Sequence, residues 1–103
     1  MAERHRVQLK VVAHAGDGNL HPTFWVEPDD GEQAQQRLEQ ALDESVRTAL
    51  DLGGTITGEH GVGQYKRRWL TWEQSPQILE LQARIKQVFD PLGILNPGKA
   101  IVS

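Results

Sequence analysis

An α+β fold, a small antiparallel sheet with two amphipathic helices packed on one of its faces, is what this sequence predicts. Residues 7–14 alternate apolar and polar before running continuously apolar, and a second strand-forming run follows a cluster of glycine and small polar residues. After residue 32, and again after residue 75, apolar residues recur every three or four positions, the period of a helix. Two strands, a helix, a short strand and a helix give an α+β layer with the helices on one sheet face.

Each element has a local cause. Val7-Gln8-Leu9-Lys10-Val11-Val12-Ala13-His14 has the pattern of a strand that enters a core from a half-exposed edge. Gly16-Asp17-Gly18-Asn19 tolerates positive φ and local side-chain bonding, so it reverses the chain. Thr23, Phe24, Trp25 and Val26 mark a second strand, about Leu20 to Glu27, and Glu27-Pro28-Asp29-Asp30-Gly31 closes it as a polar turn. Ala34, Leu38, Ala41/Leu42, Val46, Ala49 and Leu52 then define one long amphipathic helix. Asp29 or Asp30 can cap its start, and Gly53-Gly54 supplies a left-handed stop. Thr55-Ile56-Thr57 reads as a short third strand and Gly58 to Gly63 as a glycine-rich loop. Ser75-Pro76 opens the second helix with a capping residue and proline at the first helical position. Ile78, Leu81/Gln82, Ile85 and Val88/Phe89 form its expected buried stripe, Asp90-Pro91 ends it, and Leu92 to Ser103 is expected as an ordered but irregular tail.

With 103 residues and 38% hydrophobic content, the chain reads as a single domain over residues 1–103. At this size roughly two thirds of the unfolded surface can be buried, so a partner, metal or cofactor is expected to add to a marginal stability. A sheet of two or three strands also leaves one face needing cover, and self-association into a homo-oligomer is expected. The net charge of −3 gives no electrostatic reason to expect nucleic acid; the one basic cluster, Lys66-Arg67-Arg68, reads as a solvated loop or helix start. No stretch is apolar enough for a secretory signal or a membrane span, so a cytoplasmic location is expected. Cysteine is absent, hence any metal must be held by His, Asp or Glu.

His14 and His21 flank the Gly16-Asp17-Gly18-Asn19 reversal, and a hairpin can bring both imidazoles together. Neutral imidazole is a common ligand for divalent metals, and Glu59-His60, in a loop with Gly58, Gly61 and Gly63, offers a carboxylate or a further imidazole. The candidate site is His14, His21 and Glu59, with His60 left free; two imidazoles and one carboxylate leave open positions for substrate, as a catalytic site requires. Histidines at an exposed hairpin tip also arise without any metal, and glycines also punctuate flexible loops. Spacing alone does not separate these readings. Asp17-Gly18-Asn19 is not a calcium loop, since Pro22 and Pro28 stand where Gly and Glu are required. Gly16-Asp17-Gly18 lacks the third glycine of a dinucleotide fingerprint, and Ala100 stands where a phosphate loop needs Ser or Thr. Phe24, Trp25, Trp69 and Trp72 read as core and interface packing.

Three segments carry a resemblance. His14-Ala15-Gly16-Asp17-Gly18-Asn19-Leu20-His21-Pro22, then Gly53-Gly54-Thr55-Ile56-Thr57-Gly58-Glu59-His60-Gly61-Val62-Gly63 with Lys66, then Asp90-Pro91-Leu92-Gly93-Ile94-Leu95-Asn96-Pro97-Gly98-Lys99 resemble the end of the FAD-linked oxidase family. That family includes glycolate oxidase GlcD-type subunits, D-lactate dehydrogenases and D-2-hydroxyglutarate dehydrogenase. The resemblance implies the ferredoxin-like C-terminal domain of a longer enzyme whose flavin-binding domain precedes it. It implies that His14, His21 and Glu59 are metal ligands for Zn, Mn or Fe, that His60 is the catalytic base, and that Asn96 and Lys99 approach the FAD. The groups that grip the substrate carboxylate in relatives would lie upstream. Thr23 stands where some relatives carry a substrate-contacting Asn, which favours a glycolate- or lactate-like member. The expected partners are a small 2-hydroxy acid and an FAD-binding domain or subunit, and the chain by itself is expected to be inactive. The other reading is a stand-alone metal-binding or interaction module that keeps the fold without the chemistry.

Overall fold

The computed structural model describes residues 1–27 and 31–101. It forms two compact units, Met1–Gly54 and Thr55–Ser103. The first contains α1 (Ala2–His5), β1 (Gln8–His14), β2 (Asn19–Trp25) and α2 (Ala34–Asp51); the second contains a 3₁₀ turn (Arg67–Trp69), α3 (Leu70–Glu73) and α4 (Pro76–Phe89). The fold is α+β with a two-stranded antiparallel sheet. Among the described residues no helix is long and apolar enough to cross a membrane.

In the first unit, β1 and β2 pair from Gln8↔Trp25 to His14↔Asn19. A period of two therefore places Leu9, Val11, Ala13, Leu20, Pro22 and Phe24 on one face of the hairpin. Helix α2 covers one end of that face. Ala41 is fully buried against Val7 and Phe24, with Leu38 and Leu42 packed around them. Towards the turn the same face is open, with Val11 52% and Leu20 63% exposed. The apolar stripe expected for this helix is buried at Ala34, Ala41 and Val46. The cap expected at Asp29 or Asp30 lies outside the described residues.

The end of α2 behaves as its glycines require. Gly54 N–H donates to Ala49 O at 2.8 Å and Gly53 N–H to Leu50 O at 3.0 Å, while Gly53 sits at φ 85°. This paired closure is the left-handed C-terminal motif that glycine permits. A Cβ on Gly54 would lie 2.9 Å from Ala49 O. Gly54→Ala is therefore expected to destabilise the first unit by about 1–3 kcal/mol, read as a lower urea midpoint, because one backbone oxygen must give way. At the other end of the unit, α1 is tied to α2 through Glu44, which takes Arg4 Nη1 at 2.7 Å and also the His5 ring. The His5 hydrogen bond, helped by the Arg4 charge, holds the Glu44 carboxyl below its usual range against the opposing effect of desolvation.

The second unit corrects two expectations. Thr55-Ile56-Thr57 is not a strand. Ile56 is buried, but its N–H donates to Glu73 Oε1 at 3.1 Å, so a side chain takes the bond that a neighbouring strand would have taken. The second correction concerns α4. Its start is as expected, with the Ser75 hydroxyl accepting from Ile78 N–H and Pro76 in the first turn. Its apolar stripe, however, is not buried: Ile78, Leu81, Ile85, Val88 and Phe89 are all exposed. Periodicity specifies which face is apolar, not whether anything covers it. The core of this unit instead draws on Trp69 and Leu70, at the junction of the 3₁₀ turn and α3, together with Ile56. Arg68 lays its guanidinium 4.7 Å from the Trp69 ring centre.

The irregular tail is anchored by the residue that ends α4. The Asp90 side chain is buried, accepts from Ile94 N–H and Leu95 N–H at 3.0 Å each, and receives the Lys86 ammonium. Lys86 also donates to Leu95 O at 2.8 Å. The Lys86 hydrogen bond first, then the two amides, hold the Asp90 carboxyl below its usual range although burial opposes them. Since the folded value lies below the unfolded one, this anchorage is complete above the ordinary carboxylate range and is lost as pH falls through the lowered value. The Ile94 and Leu95 amides are expected to lose exchange protection as pH falls below the ordinary carboxylate range and Asp90 takes up its proton. Protection of both amides unchanged in Asp90→Ala would contradict this account.

Candidate metal and catalytic site

The hairpin performs the juxtaposition that its sequence suggested. Residues 15–18 form the reversal, Gly18 takes φ 68°, and Asp17 N–H donates back to His14 O at 3.0 Å. His14 pairs with Asn19 and Val12 with His21, so the two histidines are diagonal neighbours on one sheet face, opposite the face that carries Phe24. Their ring centroids are 5.4 Å apart at an interplanar angle of 82°. His14 is exposed and His21 half-buried. One ring nitrogen of each lies within 4.8 Å of one on the other. Imidazole pairs of this kind suit Zn, Mn or Fe, which is the fit the donor chemistry demands.

Glu59 and His60 lie in the second unit, both exposed, on the glycine-rich loop that follows Ile56. The loop is built rather than slack. Thr57 Oγ1 donates to Gly61 O at 3.2 Å, Gly61 and Gly63 adopt φ 77° and 55°, and Lys66 N–H donates to Val62 O at 3.2 Å.

Asn96 and Lys99 share a cleft with Lys86, Asp90 and Leu95 in the second unit. Asn96 takes φ 47°, a left-handed conformation that asparagine tolerates better than most residues. Two contacts fasten the motif: Arg67 Nη1 donates to Gly98 O at 2.8 Å, and Ala100 N–H donates to Gly63 O at 2.6 Å. Leu92, Ile94 and Leu95 expose apolar surface beside the Asn96 amide and the Lys99 ammonium. Glu73, Thr57 and Arg67 are supports that no sequence pattern marks, because their bonds reach backbone atoms up to 31 positions away.

The paired histidines of the hairpin, the glycine-rich Glu-His loop and the Asn-Pro-Gly-Lys tail are the three places where the chain gathers candidate functional side chains. The chain belongs to the family described as FAD linked oxidases, C-terminal domain, which it matches over residues 1–100. It is 41% identical over 99 residues to the glycolate oxidase subunit GlcD of Bacillus subtilis, covering 96% of this chain and 21% of that protein. It is 44% identical over 93 residues to the mitochondrial D-lactate dehydrogenase [cytochrome] of Arabidopsis thaliana, covering 88% of this chain and 16% of the relative. A D-lactate dehydrogenase of Archaeoglobus fulgidus is 40% identical over 101 residues, 98% of this chain and 22% of the relative. The chain thus spans about a fifth of the length of these curated relatives.

Proposed function

We propose that this chain is the C-terminal, substrate- and metal-site portion of an FAD-dependent 2-hydroxyacid dehydrogenase of glycolate or D-lactate type, which oxidises a 2-hydroxy acid to a 2-oxo acid. The observation that carries this reading is the pair of imidazoles, His14 and His21, on one face of the hairpin in a member of this family. Names of the relatives supply the substrate class, and the donor chemistry supplies the role of the pair.

In this reading His14, His21 and Glu59 are the ligands of a divalent cation, two imidazoles and a carboxylate as the family resemblance implies. When bound, the cation supplies Lewis acidity that makes the α-hydroxyl of a 2-hydroxy acid easier to deprotonate. The flavin, carried by an FAD-binding domain or subunit, supplies the acceptor for the hydride. His60 receives the hydroxyl proton on a ring nitrogen; its place beside Glu59 keeps base and ligand within one residue of each other. Asn96 and Lys99 present an amide and an ammonium to the cofactor, and the Asp90 and Arg67 contacts hold the segment that bears them. Thr23, two residues after His21, stands where the resemblance places a substrate-contacting Asn in some relatives, and this departure favours a glycolate- or lactate-like substrate.

The chain alone is expected to show no turnover, and its uncovered apolar side chains suit a partner domain or self-association. Combining it with an FAD-binding domain from the same source and assaying oxidation of glycolate and D-lactate tests the reading. Turnover that requires both components supports it. Cation binding with persistent inactivity in the combined sample overturns it in favour of a stand-alone metal-binding module.

A further inference from the structure

We infer that Glu73 is a positioning residue for the Glu59-His60 loop, acting with Thr57; the inference rests on the reading of Glu59 as a ligand and His60 as a base. Among the described residues no strand pairs with the loop. Its first fixed point is Ile56, whose side chain is 6% exposed and whose N–H is held by Glu73 Oε1 at 3.1 Å across 17 positions of sequence. The second is the Thr57 hydroxyl, which donates to Gly61 O at 3.2 Å and so bridges the three residues that include both functional side chains. Together the two bonds pin the loop on the near side of Glu59 and clasp it on the far side of His60.

The physics favours function over bulk stability. Three glycines, Gly58, Gly61 and Gly63, give the unpinned segment many conformations, and each must be given up when Glu59 binds a cation. Restraining the loop beforehand lowers that cost, which is how supporting hydrogen bonds raise ligand affinity. A carboxylate acceptor is also stronger than the amide carbonyl of a sheet partner, so Glu73 replaces a missing strand with a firmer anchor. Glu73 itself is exposed at the end of α3, where a side chain with no task would face water.

The test uses the 103-residue chain, Zn²⁺ alone as the probe, and hydrogen exchange as a second readout. Glu73→Ala is expected to speed exchange of the Ile56 amide and to weaken Zn²⁺ binding about tenfold, the scale on which residues supporting metal ligands act. Glu73→Gln keeps an oxygen acceptor and is expected to restore most of the affinity. Thr57→Val is expected to resemble Glu73→Ala, with Thr57→Ser close to the parent, and Glu39→Ala on an exposed part of α2 should leave affinity unchanged. Wild-type affinity in Glu73→Ala, alongside loss of binding in Glu59→Ala, overturns the positioning role and leaves the ligand reading intact. If Glu59→Ala itself binds Zn²⁺ normally, the ligand reading fails. The positioning role then stands or falls on whether Glu73→Ala speeds exchange of the Glu59 and His60 amides. Should Glu73→Ala unfold, Glu73→Asp, whose shorter side chain withdraws the acceptor from Ile56 N–H, decides the question by the same two readouts.

Discussion

Replacing His14 by Ala is expected to lower the affinity of the chain for Zn²⁺ by roughly a hundredfold or more while leaving its thermal melt unchanged. Both halves of that expectation come from position. His14 is the last residue of β1, exposed, on the face away from the Val7, Phe24 and Ala41 cluster, so its removal leaves no cavity. Its imidazole is one of a pair whose ring centres are 5.4 Å apart, and a lone remaining imidazole at a hairpin tip binds divalent ions weakly. Isothermal titration of the parent, His14→Ala and His21→Ala with Zn²⁺ measures the first half, and circular dichroism on heating measures the second. Equal affinity in all three chains would remove the metal role from the hairpin, and with it the hydroxyl activation.

The second large effect has the opposite signature. Phe24→Ala is expected to cost about 3 kcal/mol or more of stability, in the range of buried aromatic truncations. Phe24 is 9% exposed and is the largest side chain in a cluster whose other buried members are Val7 and Ala41. A loss of that size is a large fraction of what a domain of this length has in total. Since α2 meets the sheet through this cluster, the hairpin loses its support and its register. Zn²⁺ affinity should therefore fall together with the cooperative melt in Phe24→Ala, whereas His14→Ala separates the two. A parent-like melt in Phe24→Ala would show that the cluster is not what holds the hairpin to α2.

These contrasts also show what a reader of the sequence can and cannot see. The hairpin was legible because alternation, Gly-Asp-Gly-Asn and strand formers agree over a span of under twenty residues, and its ends fall within two positions of expectation. Helix α4 was legible at its start for a similar reason, since Ser75 and Pro76 act on neighbours three residues away. Thr55-Ile56-Thr57 misled because β-branched residues suit a strand, while the partner that decides the matter, Glu73, is remote. The short helices α1 and α3, four residues each, are too brief to show a period. Burial of the α4 stripe failed as an expectation because cover depends on what lies opposite, and sequence periodicity carries no record of that. In the candidate site, the histidine pair was readable from spacing across a turn; the supports of the Glu-His loop were not, since a single hydrogen bond to a backbone amide leaves no pattern.

The open apolar side of α4 has a practical outcome. Phe89 is 79% exposed, Val88 76%, and the adjoining Leu92 80%. Environment-sensitive dyes such as those used in plate-based melting assays should fluoresce on the native protein before any heat is applied. A flat or falling trace in such an assay would then report an occupied hydrophobic surface at the outset rather than an absence of folding, and the unfolding transition is better followed by backbone spectroscopy.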